Sequence, residues 1–318
     1  MNTPAKVLVT AALTCMASDV AAKELTSSRE TISYHTVKIQ GLNIFYREAG
    51  SASAPTVLLL HGFPSSSRMW ETLLPLLAEK YHLIAPDYPG FGNSSAPAPS
   101  SFSYTFDNIA RIMNELVTTL AIPHYVLFMQ DYGGPVGFRM ALSHPDRVRG
   151  MIIQNAVSHE RGLSPLWEAR RRYWANPTQE LESLKANFTS LDATRLRHLG
   201  SSSHPERYNP DSWNDEYAFL SRPGQAEIQT TLFLDYRTNV TSYLSWQKWL
   251  RERQPPMLVV WGKYDPSFTV EGGTAYAEDV PNAEIHLLEA GHFALDEAND
   301  EIASLVRDFL GRLKQGDE

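Results

Sequence analysis

The sequence predicts an α/β fold in which helices cover both faces of a mostly parallel sheet. Short, fully apolar runs alternate along the chain with longer segments whose apolar residues recur at helical spacing. Such runs are typical of strands buried on both faces, and the alternation of strand and helix produces a parallel sheet. The alternation stops between about Val157 and Gln254 and resumes at Met257. An insertion within one α/β domain explains this interruption better than a second independent domain.

The individual elements follow from these patterns. Residues 34–49 are predicted to form two strands around the turn Gln40-Gly41, because apolar and polar residues alternate on both sides of it. The buried strands are predicted at Thr56 to Leu60, Leu83 to Ala85, Tyr125 to Met129, Val148 to Gln154, Met257 to Trp261 and Ile285 to Leu288. The helices are predicted at Met69 to Ala78, Phe106 to Leu120, Gly134 to Ser143, Glu271 to Asp279 and Glu297 to Leu310.

The insertion is predicted to be a helical cap over residues 158–254, so that residues 23–157 and 255–318 form the core. It is polar, rich in arginine, and has no apolar run of the buried-strand type. Its tryptophans are Trp167, Trp174, Trp213, Trp246 and Trp249, out of seven in the whole sequence. These aromatic residues fit the small core of the insertion itself, an aromatic underside facing a site, or both.

The N-terminal residues 1–22 are predicted to be a signal peptide. Lys6 precedes an apolar run of small residues, and Val20-Ala21-Ala22 provides small residues before a cleavage point. This pattern predicts export to the periplasm or outside the cell; the alternative is a cytoplasmic protein with an N-terminal tail. The sole cysteine, Cys15, lies in this segment, so cleavage would leave no disulfide or thiol chemistry.

Composition limits the partners of the protein. With 43% hydrophobic and 20% charged residues the sequence is that of an ordinary soluble domain. Its net charge of −8 argues against nucleic acid as a partner, because binding phosphates requires a basic face. It has no run of about 18 apolar residues, which argues against a membrane-spanning helix in the mature chain. The oligomeric state is left open.

The strongest local motif surrounds Asp131. A predicted buried strand runs directly into Met129-Gln130-Asp131-Tyr132-Gly133 and then into a glycine-rich helix. This is the strand–turn–helix context of a nucleophile elbow, with aspartate at the position of the nucleophile. An ionised carboxylate there can attack carbon and form a covalent ester. The alternative is that Asp131 only caps the helix.

A second motif, His61-Gly62-Phe63-Pro64, follows another buried strand. The backbone N–H of Phe63 and that of Tyr132 are predicted to form an oxyanion hole, worth about 3 kcal/mol per donor in the transition state. His61 is predicted to be structural. Asp87, in the turn-rich loop after the next strand, is predicted to hold that loop.

Two further residues follow later strands. Asp265 lies just past one predicted buried strand, and His292 lies just past the next. Both are therefore expected at the same sheet edge as Asp131, in the chain order nucleophile, acid, histidine. In this arrangement Asp265 fixes the imidazole tautomer and His292 deprotonates water.

With these residues in hand, the chain resembles the α/β-hydrolase superfamily over residues 34–312, and within it the aspartate-nucleophile branch of epoxide hydrolases and haloalkane dehalogenases. The resemblance is carried by HGFP at 61–64, DYPGFGNS at 87–94, QDYGG at 130–134, GKYDP at 262–266 and AGHF at 290–293. It implies a nucleophile at Asp131, an acid at Asp265, a base at His292, and no metal or organic cofactor. The implied partners are water and a small apolar organic substrate.

The cap is expected to decide between the two chemistries. Epoxide opening generates an alkoxide, which requires hydroxyl donors, whereas a departing halide prefers weakly acidic N–H donors such as indole. Asp235-Tyr236-Arg237-Thr238-Asn239 is similar to the segment that supplies a ring-polarising tyrosine in epoxide hydrolases. Tyr236 is therefore predicted as a donor, with burial in the packing of the cap as the alternative. Tyr173 is one option for a second donor, and the sequence does not favour it over Tyr208, Tyr217 or Tyr243.

The epoxide hydrolase is the leading hypothesis. Dehalogenases typically have tryptophan directly after the nucleophile, where this sequence has Tyr132. Fluoroacetate dehalogenases also have arginines one and four residues after the nucleophile, where Tyr132 and Pro135 stand, so a small haloacid is a poor candidate. Haloalkane dehalogenase remains the first alternative, and a non-catalytic ligand-binding protein on the same scaffold is the alternative of another class. Met129 occupies a position where the elbow usually has a small residue.

Overall fold

The structure is a computed structural model that describes residues 31–200, 202 and 204–313. The predicted signal peptide, residues 1–22, lies outside the described residues, and export stays a prediction. None of the described helices has the length and apolar character needed to cross a bilayer.

One sheet organises the described residues. Its strands, in chain order, are β1 (Ser33–Ile39), β2 (Leu42–Ala49), β3 (Thr56–Leu60), β4 (His82–Pro86), β5 (Tyr125–Gln130), β6 (Val148–Gln154), β7 (Met257–Gly262) and β8 (Glu284–Leu288). In space they follow the order β1-β2-β4-β3-β5-β6-β7-β8. β2 pairs antiparallel with β1 and β4, and all the other pairs are parallel. The predicted fold class is thereby confirmed.

Helices connect the parallel strands and cover the sheet. Those of the core are α1 (Leu74–Leu77), α2 (Phe106–Thr119), α3 (Gly133–Ser143), α10 (Val270–Thr274), α11 (Tyr276–Asp279) and α12 (Leu295–Leu313). Those between β6 and β7 are α4 (Trp167–Ala175), α5 (Pro177–Phe188), α6 (Leu191–Leu199), α7 (Pro210–Leu220), α8 (Gln225–Asp235) and α9 (Arg237–Arg253). We call this second group the inserted helices. The domain boundaries set at 157/158 and 254/255 stay a prediction.

The core divides into two layers because successive residues of a strand point to opposite faces. In β3, Leu58 and Leu60 belong to the cluster formed with α2 and α3, whereas Val57 and Leu59 belong to the cluster formed with α1 and α12. The four residues are fully buried. Burial on both faces explains why this strand is apolar throughout instead of alternating.

Parallel strands place their carboxyl ends at one edge of the sheet. β3, β5, β6, β7 and β8 are consecutive neighbours with parallel pairing, so the loops that follow them meet there. Ligands bind at this edge in open α/β sheets. The inserted helices follow β6 and cover it.

Candidate active site

Asp131 occupies a strained turn between β5 and α3. Its backbone φ is +47°, in the left-handed region that non-glycine residues rarely adopt. A Cβ atom on Gly62 would lie only 2.4 Å from the Asp131 Cβ, so glycine is required where the two loops meet. Residue 132 is the N-cap of α3, with no side-chain cap hydrogen bond. The turn therefore presents the carboxylate to the sheet edge instead of using it to cap the helix.

The room for Met129 comes from the neighbouring helix. Met129 is fully buried, and a Cβ atom on Gly137 would lie 2.1 Å from its sulfur. Glycine at position 137 thus leaves the space that a small residue at position 129 would otherwise provide. Met129 therefore fits without displacing the turn that holds Asp131 at the sheet edge.

Two backbone N–H groups donate to the carboxylate of Asp131. The Phe63 N–H donates to Oδ1 over 2.8 Å, and the Tyr132 N–H also donates to the carboxylate. Burial raises the pKa of Asp131, while His292, these two donors and Arg170 oppose the rise. The structure thus brings Phe63 and Tyr132 to the positions predicted for oxyanion donors.

His292 and Asp265 form a hydrogen-bonded pair beside the elbow. His292 Nδ1 donates to Asp265 Oδ2 over 2.7 Å. Asn155, which follows β6, donates to the same oxygen from Nδ2 over 2.9 Å, and Asp265 Oδ1 accepts from the Ser267 N–H over 2.7 Å. Asp265 is therefore held on both oxygens and fixes the orientation of the imidazole ring.

The other nitrogen of His292 faces the elbow. Nε2 lies 3.8 Å from Asp131 Oδ2 and, in the tautomer with its proton on Nδ1, accepts from Gln130 Nε2 over 3.1 Å. Burial lowers the pKa of His292, but the charge and hydrogen bond of Asp265, with Asp131, outweigh it and raise the pKa above 6.5. The predicted trio Asp131, Asp265 and His292 is therefore assembled at one point.

The tyrosines have different environments. Tyr132 is buried, and its hydroxyl has no hydrogen-bond partner among the described residues. Its ring lies 5.8 Å from that of Tyr236, which is also buried and packs against Trp167. Burial raises the pKa of both hydroxyls well above 10, and Asp131 contributes to both shifts. Tyr173, the option for a second donor, instead donates to the Thr230 carbonyl over 3.1 Å.

A cavity of about 30 Å³ lies beside Asp131. Phe63, Asp131, Tyr132, Trp167, Arg170, Phe188, Arg197, Phe233, Pro266, Ser267 and His292 line it. Tyr236 is outside this lining and reaches it only through its contacts with Tyr132 and Trp167. Aromatic side chains of the inserted helices line the cavity, and two arginines stand among them.

The residues of the site that were not predicted from the sequence include Arg170, Arg197, Gln130 and Asn155. A signal for Arg170 exists, because it lies three residues after Trp167 and so faces the same side of α4 as that buried ring. Gln130 and Asn155 each follow the apolar part of a strand that ends at the sheet edge. A polar residue at such a position is a candidate to orient its neighbours.

His61 and Asp87 support the loops around the cavity. His61 is fully buried and stacks on Tyr88 with ring centroids 4.1 Å apart, and burial lowers its pKa. Asp87 accepts from the N–H groups of Ser67 and Asn93 over 2.7 and 2.8 Å. Among the residues that the structure describes, no cluster of three or more histidine, cysteine or acidic side chains could hold a metal ion.

Comparison with known proteins agrees with this geometry. A family model of the alpha/beta hydrolase fold matches residues 55–299. The chain belongs to the α/β-hydrolase family. The resemblance drawn from the motifs is thereby confirmed at the level of the family.

Several relatives of this α/β-hydrolase are hydrolases. The chain is 38% identical over 268 residues to an uncharacterized hydrolase of Saccharomyces cerevisiae, covering 83% of this chain and 92% of that protein. It is 30% identical over 276 residues to a fluoroacetate dehalogenase of a Burkholderia species, covering 83% and 90%. The epoxide hydrolase CorEH superposes with a TM-score of 0.74 at 22% identity, covering 89% of this chain and all of that one, a likeness that concerns the fold alone.

Proposed function

We propose that this α/β-hydrolase cleaves a carbon–heteroatom bond through a covalent ester on Asp131. The observation that carries the proposal is the placement of one carboxylate between two sets of groups. Oδ1 accepts from the Phe63 N–H, Oδ2 lies 3.8 Å from the imidazole Nε2 of His292, and Asp131 lines the cavity. A carboxylate held in this way is oriented for attack before the substrate arrives.

In the first step Asp131 attacks an electrophilic carbon of the substrate. A bond forms between Oδ2 and that carbon, and the bond from the carbon to the leaving atom breaks. The electron pair of the broken bond goes to the leaving atom, which a hydrogen-bond donor in the cavity must stabilise. The product is an alkyl ester of Asp131, still buried beneath the inserted helices.

In the second step water hydrolyses this ester. His292 Nε2 takes a proton from water, and the resulting hydroxide attacks the Asp131 carbonyl carbon. The oxyanion that forms accepts from the N–H groups of Phe63 and Tyr132. Collapse of the intermediate breaks the bond between the Asp131 carbon and the alcohol oxygen, which takes the proton from His292. The remaining carboxyl proton of Asp131 goes to the alkoxide left by ring opening, or to solvent where a halide has departed, and the carboxylate is restored. Asp265 stabilises the transient imidazolium.

Epoxide opening is the first step that the hydroxyl groups support best. Tyr132 lines the cavity beside Asp131, and Tyr236 packs against its ring; burial raises the pKa of both hydroxyls, so both stay protonated. The Tyr132 hydroxyl has no hydrogen-bond partner among the described residues, whereas that of Tyr236 interacts with Tyr243. A halide would prefer indole N–H donors, but those of Trp167 and Trp174 already donate to carbonyl oxygens. Trp167 donates to the Ser267 carbonyl over 2.9 Å, and Trp174 donates to the Phe233 carbonyl over 2.8 Å. The product would be a vicinal diol.

Carbon–halogen cleavage is the second candidate. Its support is the pair of guanidinium groups in the cavity, which provide N–H donors, together with the 30% identity to a fluoroacetate dehalogenase. The same ester chemistry would then release halide instead of opening a ring. A screen of epoxides and haloalkanes, scoring diol formation against halide release, separates the two candidates.

Trapping the ester tests the proposed mechanism. In the His292→Gln variant the first step proceeds and the second fails, so we expect the intact protein to gain the mass of the substrate. The double variant Asp131→Asn, His292→Gln is the matched control and should gain none. Absence of any adduct with every epoxide and haloalkane in the screen would contradict the mechanism.

A further inference from the structure

Two arginine side chains from different inserted helices enter the cavity beside Asp131. Arg170 comes from α4 and Arg197 from α6, and both line the cavity together with Asp131 and His292. Their electrostatic influence reaches Asp131 and Tyr132. They are therefore part of the space that the substrate occupies.

Aromatic rings fix the orientation of both guanidinium groups. The Cζ of Arg170 lies 4.1 Å from the ring centroid of Trp167. The Cζ of Arg197 lies 4.9 Å from Phe63 and 4.8 Å from Phe188. Stacking of this kind orders a guanidinium plane without neutralising its charge.

Neither positive charge has a close counter-ion in the part of the chain that the structure describes. No carboxylate there lies within 4.0 Å of either guanidinium group. Arg170 makes one long hydrogen bond, 3.4 Å, to Ser267 Oγ. Arg197 donates from Nη2 to the Phe188 carbonyl over 2.7 Å, but its Nη1 is buried without a hydrogen-bond partner. A buried, unsatisfied charged donor is costly, so such a group points to a missing acceptor.

The surrounding charges also favour an anionic acceptor. Burial lowers the pKa of Arg170, and burial with the neighbouring Arg170 lowers the pKa of Arg197 to about 10. Guanidinium groups keep their proton in proteins, so the two positive charges repel each other. Asp265 is occupied by His292, Asn155 and Ser267. Within the cavity lining Asp131 is the one carboxylate against two guanidinium groups. Glu216 also acts on Arg197, but its carboxylate is paired with His198 over 2.9 Å.

We propose that the substrate carries a small carboxylate, which Arg170 and Arg197 bind together. The inference rests on the proposed function, because it places the anionic end of the substrate at the inserted helices and its reactive carbon at Asp131. Two planar guanidinium groups suit the two oxygens of a carboxylate.

The two arginines also reduce the electrostatic repulsion between such a substrate and the nucleophile. An anionic substrate is repelled by the Asp131 carboxylate that must attack it. Two cations beside the nucleophile offset this repulsion and orient the substrate in one step. The guanidinium groups act here through binding and positioning, while bond formation stays with Asp131.

Binding of an inert pair of ligands to the wild-type protein tests the inference without any chemistry. Butanoate and butanamide have similar shapes and differ in charge, and calorimetry at low ionic strength compares their affinities. We expect butanoate to bind at least about tenfold more tightly than butanamide. Equal affinities would overturn the proposal, and tighter binding of inorganic phosphate than of butanoate would overturn the choice of a carboxylate.

Arginine variants then assign the effect to these two residues. Arg170→Met and Arg197→Met should each remove most of the preference for butanoate. Arg172→Met and Arg195→Met are matched controls, because they lie on the same two helices with exposed side chains, and they should keep the preference. Each variant is compared with both ligands, so partial loss of folding would weaken both affinities alike. A preference that survives in Arg170→Met and Arg197→Met would overturn the assignment.

Failure of this inference and failure of the proposed function give different results. With 2,3-epoxybutanoate and its neutral amide as substrates, an adduct of His292→Gln with the amide alone supports the ester mechanism and contradicts the carboxylate site. Preferential binding of butanoate without any adduct supports the carboxylate site and contradicts the ester mechanism. We expect the adduct with the acid, formed at least about tenfold faster than with the amide.

Discussion

The two sides of the cavity differ in how their charges are satisfied. On the side of the sheet, both oxygens of Asp265 are held, and Asp131 accepts from backbone N–H groups. On the side of the inserted helices, Arg170 and Arg197 have no counter-ion within 4.0 Å among the described residues. The carboxylates on the sheet side are paired within the protein, whereas the guanidinium groups on the side of the inserted helices are left for the proposed carboxylate of the substrate.

The difference suggests that groups on the sheet side carry out the reaction and that the inserted helices select the substrate. A preorganised carboxylate, base and pair of oxyanion donors can act on many substrates, since none of these groups recognises a particular one. The inserted helices supply the groups that do recognise it. Changes on the sheet side should therefore reduce turnover of every substrate, and changes on the helix side should redistribute turnover among substrates.

The largest effect is expected for Asp131→Asn. Asparagine tolerates the left-handed backbone at this position, so the fold should be kept while the nucleophile is lost. We expect kcat to fall by about 10⁴-fold or more for charged and neutral substrates alike. Steady-state kinetics with both substrate types checks this, and substantial turnover of either would break the assignment of chemistry to the sheet side.

Asp265→Asn should have the next largest effect, a fall in kcat of about 10²- to 10⁴-fold. The amide cannot stabilise the imidazolium, and the charge that raises the pKa of His292 is removed. NMR titration of His292 should show its pKa falling towards or below 6.5. An unchanged pKa would show that Asp265 does not govern the imidazole.

The hydroxyl donors should matter less, and only for epoxides. Tyr132→Phe and Tyr236→Phe are each expected to lower kcat for epoxides by about 10- to 100-fold, because a donor to the leaving oxygen is lost. Tyr173→Phe is the matched control, since its hydroxyl bonds to the Thr230 carbonyl, and its kcat should stay within about threefold. An equal fall in kcat in all three variants, or an equal fall for haloalkanes, would show that the hydroxyls of Tyr132 and Tyr236 do not act as donors to the leaving oxygen.

The smallest effect is a displacement of the pH profile. His292 must be neutral to deprotonate water, so kcat falls as the pH drops through its pKa. Asp131 helps to raise that pKa in the free enzyme, and its charge is absent in the ester. Where ester hydrolysis limits turnover, the acidic limb of kcat should therefore lie below the pKa that NMR gives for His292 in the free protein. A limb at or above that value would mean that esterification does not neutralise Asp131.

The sheet side was predictable from sequence because each of its groups follows a recognisable strand. Parallel strands deliver the residues after them to one edge, so Asp131, Asp265 and His292 could be placed together before any contact was known. Met129 could not be understood in the same way, since the space it fills is created by Gly137 in the following helix. Arg170 and Arg197 lie 27 residues apart on separate helices, and only the packing of those helices brings both into one cavity.

The most direct test of the covalent ester is one turnover in ¹⁸O-labelled water with the enzyme in excess over an epoxide. Hydroxide attacks the carbonyl carbon of the ester, so the label should appear in the carboxylate of Asp131, and the first diol formed should contain an oxygen from the protein. Mass spectrometry of the peptide that contains Asp131 and of the diol measures both. Label in the diol with none in Asp131 would mean that water attacks the substrate directly, which would contradict the covalent ester.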